Sequence, residues 1–290
     1  MEWIFIVSRL TLSLASNVFQ KKLTQRGLHA FFIVSAIYCV LAICALALLI
    51  KLPIAHLNHA FWRDVSLSAL FDVGGWLFLV VSLSKTDLSV FGPLNAYKVV
   101  ASMLLAMLFL NEFPSAQGLI GVSIIIAGSF FLMPQKSPLA AHRVLDLLSD
   151  KGVQARFLSI LLFAIGTLFL KQSVTNGGVL QTLVFWSLIG LPIALASTYF
   201  VLKQRVWSEV ALASTQLSNI AAVGIMVFAM QYATLYLLST MLIAYALALF
   251  QLGMVLQVFI GYKVFNEQEI LRKLLASLVM MAGSLLVLLA

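Results

Sequence analysis

The chain has 290 residues, 62% of them hydrophobic and only 10% charged, with 18 Lys and Arg against 10 Asp and Glu. Soluble domains carry roughly 25% charged residues, so a water-soluble domain is excluded. The formal net charge of +8 is spread over short loops, which excludes a nucleic-acid face.

A run of about 20 apolar residues crosses a bilayer core of about 30 Å. Ten such runs follow one another, roughly 3–21, 30–50, 65–84, 91–110, 116–134, 156–175, 179–202, 216–237, 241–262 and 271–290. Span 1 begins Met1-Glu2-Trp3, without the basic start of a cleaved leader, and is read as a retained helix carrying Arg9, Ser16 and Asn17. Span 2 carries Cys39 and Cys44, read as two small buried apolar residues rather than a disulfide or metal site. Span 3 carries Asp72. At 1.5 Å per residue, Arg9 and Asp72 lie about 9–10 Å in from the same end. That depth permits an ion pair, either a pin between spans 1 and 3 or a proton- or substrate-linked carboxylate tuned by Arg9.

Span 4 places Asn95, Lys98 and Ser102 on one helical stripe, with Lys98 about 10 Å deep. No acid matches its depth, which leaves two roles open: binding a carboxylate or phosphate of a solute, or snorkelling to the nearby surface. Spans 5 and 10 carry small residues seven apart, Gly121 and Gly128, then Ala276 and Gly283, the spacing of close helix packing. Between the halves, residues 136–155 form a cytoplasmic linker, either an interfacial helix or a solvated connection. The second half has no acid in its spans. It offers Gln231, Tyr232 and Tyr236 in span 8 and Tyr245, Gln251 and Gln257 in span 9, an amide and aromatic lining or interhelical glue.

Lys and Arg alternate by side: 13 fall in loops after odd-numbered spans, such as Lys21, Lys85, Arg156 and Lys273, against Lys51, Arg63 and Lys171 opposite. This bias places the odd loops in the cytoplasm and both termini outside. His29, His56, His59 and His142 fall at loops or span ends without metal-ligand spacing. No phosphate-binding glycine loop or nucleophile–base spacing occurs. Neither an enzyme, a cofactor nor a metal is expected.

The halves repeat. Asn111-Glu112 and Asn266-Glu267 each end an apolar run and precede a helix carrying Ala-Gly-Ser, at Ala127-Gly128-Ser129 and Ala282-Gly283-Ser284, with the second pair 155 positions after the first. Phe19-Gln20-Lys21 is echoed by Phe169-Leu170-Lys171. Five spans per copy force the second copy into the membrane in the opposite sense, the inverted-repeat logic of secondary transporters. The predicted fold is therefore an all-α integral membrane protein of ten transmembrane helices, two inverted five-helix repeats at 1–135 and 156–290. Glu112 and Glu267 are expected at helix ends, bonding loop amides.

The chain resembles the drug/metabolite transporter superfamily, in its ten-helix form with two EamA-like repeats. The resemblance rests on Phe109-Leu110-Asn111-Glu112 and Val264-Phe265-Asn266-Glu267, each followed by a small-residue helix, Gly118 to Ser129 and Lys273 to Ser284. It implies transport of a small organic metabolite or drug-like solute across the inner membrane, without naming the cargo. Spans 1, 3, 4, 6, 8 and 9 are expected to line the pathway. Arg9, Asn17, Asp72, Asn95, Lys98, Gln231, Tyr232, Tyr245 and Gln257 are the substrate or coupling candidates, with Asp72 as the route for a proton. The expected partners are a small solute and the lipid bilayer, with no nucleic acid; a monomer suffices, and a homodimer stays open. The alternatives are a flippase for a lipid-linked headgroup and a membrane scaffold without a transport cycle.

Overall fold

A computed structural model describes residues 2–50, 52, 57–110, 115–132, 149–240 and 243–289, and for 106–110, 130, 243–245 and 248 the backbone alone. The helices are α1 (Glu2–Gln25), α2 (Ala30–Leu49), α3 (His59–Lys85), α4 (Leu88–Phe91), a 3-10 turn (Pro93–Ala96), α5 (Tyr97–Leu110), α6 (Ala116–Ser129), α7 (Lys151–Gly177), α8 (Val179–Leu202), α9 (Val206–Ser214), α10 (Leu217–Thr240), α11 (Ile243–Phe265) and α12 (Ile270–Leu288). The described residues contain no strand. Asn111-Glu112, His56, His142 and most of the expected linker lie outside the described residues.

Among the described residues, seven helical segments are long and apolar enough to cross a membrane: 30–49, 59–85, 88–105, 151–177, 179–214, 217–240 and 270–288. Two more, 116–129 and 249–265, are apolar but shorter. The 24-residue α1 is long enough. Arg9, Asn17 and Gln20 lower its hydropathy, and these polar residues face protein rather than lipid. The result is a multi-pass helical membrane protein.

Local chemistry sets the helix limits. Asn58 Oδ1 accepts from Phe61 N at 2.8 Å and starts α3. Asp150 Oδ1 accepts from Val153 N at 2.9 Å and starts α7, satisfying donors that the helix itself leaves free. This cap lies six residues before the apolar run begins and places Arg156 more than a turn inside the helix. Span 4 is not continuous. Pro93 has no N–H to give the preceding turn, so α4 stops at Gly92 and a 3-10 turn leads into α5.

The four most extensive helix contacts pair α3 with α7, α6 with α12, α1 with α10 and α2 with α8. In every one, a helix from the first half meets a helix from the second. Between α6 and α12 the backbones touch: a Cβ on Gly121 would meet the Gly283 carbonyl at 2.7 Å, and a Cβ on Gly283 would meet the Gly121 carbonyl at the same distance. Gly283 also lies over Ile125, while its repeat partner Gly128 lies over Met280. Without a hydrophobic drive between helices in lipid, such backbone approach is the main source of adhesion. The packing role expected for Gly121, Gly128, Ala276 and Gly283 accounts for their burial. The cysteines depart from the expected burial: Cys39 is exposed and Cys44 half-buried, and both are free.

At the Lys21 end of the bundle, the loop after α11 folds inward. Glu267 is buried and accepts from Leu88 N at 2.7 Å, Ser89 N at 2.8 Å, the Ser89 hydroxyl and Lys21 Nζ at 2.9 Å. Lys21 Nζ also donates to the Thr86 carbonyl at 3.0 Å. Beside it, Lys273 pairs with Asp87 at 3.0 Å. Burial pushes the Glu267 carboxyl up, but the bonds from Ser89 and Lys21 and the Lys21 charge outweigh it and hold it below the usual carboxylate range. Glu267 thus bonds amides as expected, and those amides belong to the start of α4 in the other half.

Candidate functional site

Polar side chains from several spans converge on one cavity of about 120 Å³. It is walled by Arg9, Ser13 and Asn17 of α1 and by Asp72 and Trp76 of α3. Asn95 and Lys98 enter from the broken fourth span, and α7 contributes the stripe Arg156, Ile160, Phe163, Thr167. Gln231 and Thr234 of α10 and Phe250, Gln251 and Gln257 of α11 close it. These are spans 1, 3, 4, 6, 8 and 9, the set expected to line a pathway.

Small residues admit the polar ones. A Cβ on Gly75 of α3 would stand 2.8 Å from the Phe163 ring, and a Cβ on Gly166 of α7 would collide with Asp72 Oδ1. Ser159 of α7 donates to the Gly75 carbonyl at 2.8 Å. The α3–α7 seam is therefore tight enough to seal Asp72 on one side. Its Oδ2 accepts from Trp186 Nε1 of α8 at 2.9 Å. Where span 4 breaks, Gly92 lets the backbone lie against Gln257, whose Cβ would be 2.8 Å from an added methyl. The break turns Asn95 toward α7, where it accepts from Arg156 Nη2 at 2.6 Å.

The charges of the cavity do not pair with one another. Among the described residues the ion pairs are Lys21–Glu267, Arg63–Asp64, Arg272–Glu269 and Lys273–Asp87. Arg9 and Asp72 share a depth but not a direction. Arg9 lies over the Phe250 ring, 4.1 Å from its centroid, and Asp72 turns to Trp186, so the ion pair allowed by depth is not formed. Arg156 lies over Phe91 at 3.9 Å. Lys98 donates to the Thr167 hydroxyl at 3.1 Å and interacts electrostatically with Arg9, Asp72 and Arg156. Arg9 Nε and Arg156 Nε are buried without an acceptor among the described residues, as Gln251 Oε1 and Gln257 Oε1 are without a donor.

Of the nine residues singled out in the sequence, Arg9, Asn17, Asp72, Asn95, Lys98, Gln231 and Gln257 line the cavity. Tyr232 is not in its lining; it packs edge-on against Phe5 at 6.0 Å. The Tyr245 side chain lies outside the described residues. Sequence reasoning missed Arg156, counted as a cytoplasmic loop cation, yet 3% exposed within α7. Its signal was the helical spacing Arg156, Ile160, Phe163, Thr167. Trp186 was missed too, although a tryptophan in mid-span, away from the interfacial belts, needs a partner for its N–H. A second buried acid, Asp64, extends the inventory. It sits in α3 before the expected span and is held by Arg63 at 2.8 Å and Asn176 at 3.1 Å.

Residues 1–133 match the EamA-like transporter family. A protein known from its crystal structure shares the fold at a TM-score of 0.60 and 12% identity, covering 97% of this chain and 96% of that one. No curated protein matches the sequence.

Proposed function

As a membrane transporter of the drug/metabolite superfamily, carrying an EamA-like module in residues 1–133, the chain is, we propose, a secondary transporter that moves a small polar solute through the central cavity by alternating access. The convergence of seven independently chosen polar residues on one cavity between the halves carries this reading. A scaffold without a transport cycle has no reason to hold polar groups there, because each costs several kcal/mol when not engaged.

The architecture proposed is ten spans in two inverted repeats, with α1 and the short α6 and α11 counted as spans. Helix contacts support it. Exchanging each span with the one five later turns α3–α7 into α10–α1 and α2–α10 into α8–α3, and returns α2–α8 and α6–α12 to themselves. The reciprocal Gly283–Ile125 and Gly128–Met280 contacts obey the same exchange. The bias of Lys and Arg supports both termini outside a bacterial inner membrane, and a single chain supplies a complete pathway.

Asp72 is the proposed proton carrier, the one acid of the cavity lining among the described residues. In a pH-driven proteoliposome assay, Asp72→Asn abolishes accumulation while counterflow exchange persists; wild-type rates in both removes Asp72 from coupling. Alternating access is tested without knowing the cargo. In a background with Cys39 and Cys44 replaced by alanine, Thr234→Cys reacts with a membrane-impermeant thiol reagent from either face of oriented vesicles. Labelling from neither face supports a scaffold, and outward movement of a fluorescent lipid in place of solute exchange supports a flippase.

A further inference from the structure

We propose that the solute is a compact organic oxyanion, a carboxylate or phosphate bearing hydrogen-bond donors, and that Arg9, Lys98 and Arg156 bind its charge. This deepens the transporter reading and rests on it. Among the described residues, three cations from three different helices face the cavity against a single carboxylate, a formal excess of two positive charges. That carboxylate already accepts from Trp186 on one oxygen, and its other oxygen lies where a side chain on Gly166 would be.

Among the described residues none of the three cations forms an ion pair, and Asp72 acts on Lys98 only at longer range. Two rest on aromatic rings, which satisfy the face of a guanidinium but not its in-plane donors. Among the described residues both Nε groups have no acceptor, and the one hydrogen bond of Lys98 goes to a neutral hydroxyl. Buried cations are retained where something completes them. The planar donor fork of arginine matches the two oxygens of a carboxylate or phosphate, and lysine adds a point charge. Snorkelling does not explain the set: Arg156 is buried, and Lys98 reaches across to α7 rather than to a surface.

The other open valences point the same way. Gln251 Oε1 and Gln257 Oε1 are acceptors without donors, so the body of the solute brings hydroxyl or amino hydrogens to them. Pockets that take drug-sized ligands measure roughly 300–1,000 Å³; a cavity of about 120 Å³ selects a more compact solute.

The experiment is thermal unfolding of the purified full-length protein in detergent against three pools of metabolite-sized probes. One holds hydroxycarboxylates and amino-bearing carboxylates, one phosphate esters, and one neutral polyols with quaternary amines. A rise in the midpoint with one of the anionic pools is expected, and which pool acts identifies the head group. Arg156→Gln and Lys98→Gln each weaken the apparent affinity for the active probe about 10- to 100-fold, the loss of one charge-assisted contact. Lys98→Arg retains most of it. If Arg156→Gln does not fold, Lys98→Gln carries the test, because Thr167 is its one hydrogen-bond partner. Stabilisation by the neutral and cationic pool alone, by no pool, or by an anion whose affinity ignores both substitutions overturns the proposal. Two-sided labelling of Thr234→Cys in the same preparation separates the readings: if it persists, the transporter stands and only the charge of its cargo was misjudged.

Discussion

Replacing Glu267 by glutamine leaves its shape intact and removes the charge on which four hydrogen bonds converge. Each carboxylate oxygen receives one backbone N–H of α4 and one side-chain donor. Whichever way the amide is turned, its NH2 faces a backbone N–H, and Lys21 remains buried without its counter-charge. The two side chains are 8% and 5% exposed, so water does not make up the difference. Breaking a buried pair from one side costs about 3–5 kcal/mol, which at about 2–4 °C per kcal/mol lowers the unfolding midpoint by roughly 6–20 °C. Lys21→Met costs less, because the carboxylate keeps its three donors from α4. The double variant costs less than the sum of the two, with a coupling of about 2 kcal/mol. Glu267 is held below its ordinary value of 4.5, so its contribution is complete above pH 4.5 and falls away as acid approaches the lower folded-state value; the glutamine variant lacks this acid limb. The assay is unfolding in detergent across pH 3–8 for the four proteins. Additivity within about 0.5 kcal/mol, or an unchanged acid limb in Glu267→Gln, refutes the assignment.

Two further substitutions probe the packing and the polar lining. Gly283→Val drives a side chain into the Gly121 carbonyl and the Ile125 amide, both backbone, and lowers stability by about 3 kcal/mol or more; a midpoint within 2 °C of wild type, about 1 kcal/mol or less, contradicts close contact at that seam. Trp186→Phe removes the donor on Asp72 and costs about 1–3 kcal/mol for an unsatisfied buried acceptor, read as a lower midpoint that Asp72→Leu added to the same variant partly restores.

Much of the site was legible because the spans contain so few polar residues that each one stands out. Depth along a helix follows from counting residues, and it placed Arg9, Asp72 and Lys98 within the membrane. Direction around the helix axis does not follow from counting in one span. Arg9 turns to Phe250 of α11 and Asp72 to Trp186 of α8, contacts set by how six helices assemble. Arg156 was hidden by a boundary: hydropathy starts α7 where the apolar run begins, whereas the Asp150 cap starts it earlier. Glu267 was recognisable as a bonder of amides, but its targets at Leu88 and Ser89 lie 179 and 178 positions away. No local signal reaches that far.

The cross-paired helices also set an order of events during synthesis. The four main contacts join helices from opposite halves, so no early helix meets its chief neighbour when it first enters the bilayer. α1, complete at Gln25, must wait for α10, complete at Thr240, about 215 residues later. At roughly 5–20 residues per second that is an interval of roughly 10–40 s. Throughout it Arg9 stands in an unfinished bundle, whereas Asp72 gains its own neighbours once α7 and α8 are made. A chain cut short before α10 leaves α1 without its chief neighbour and Arg9 without the Phe250 ring it lies over.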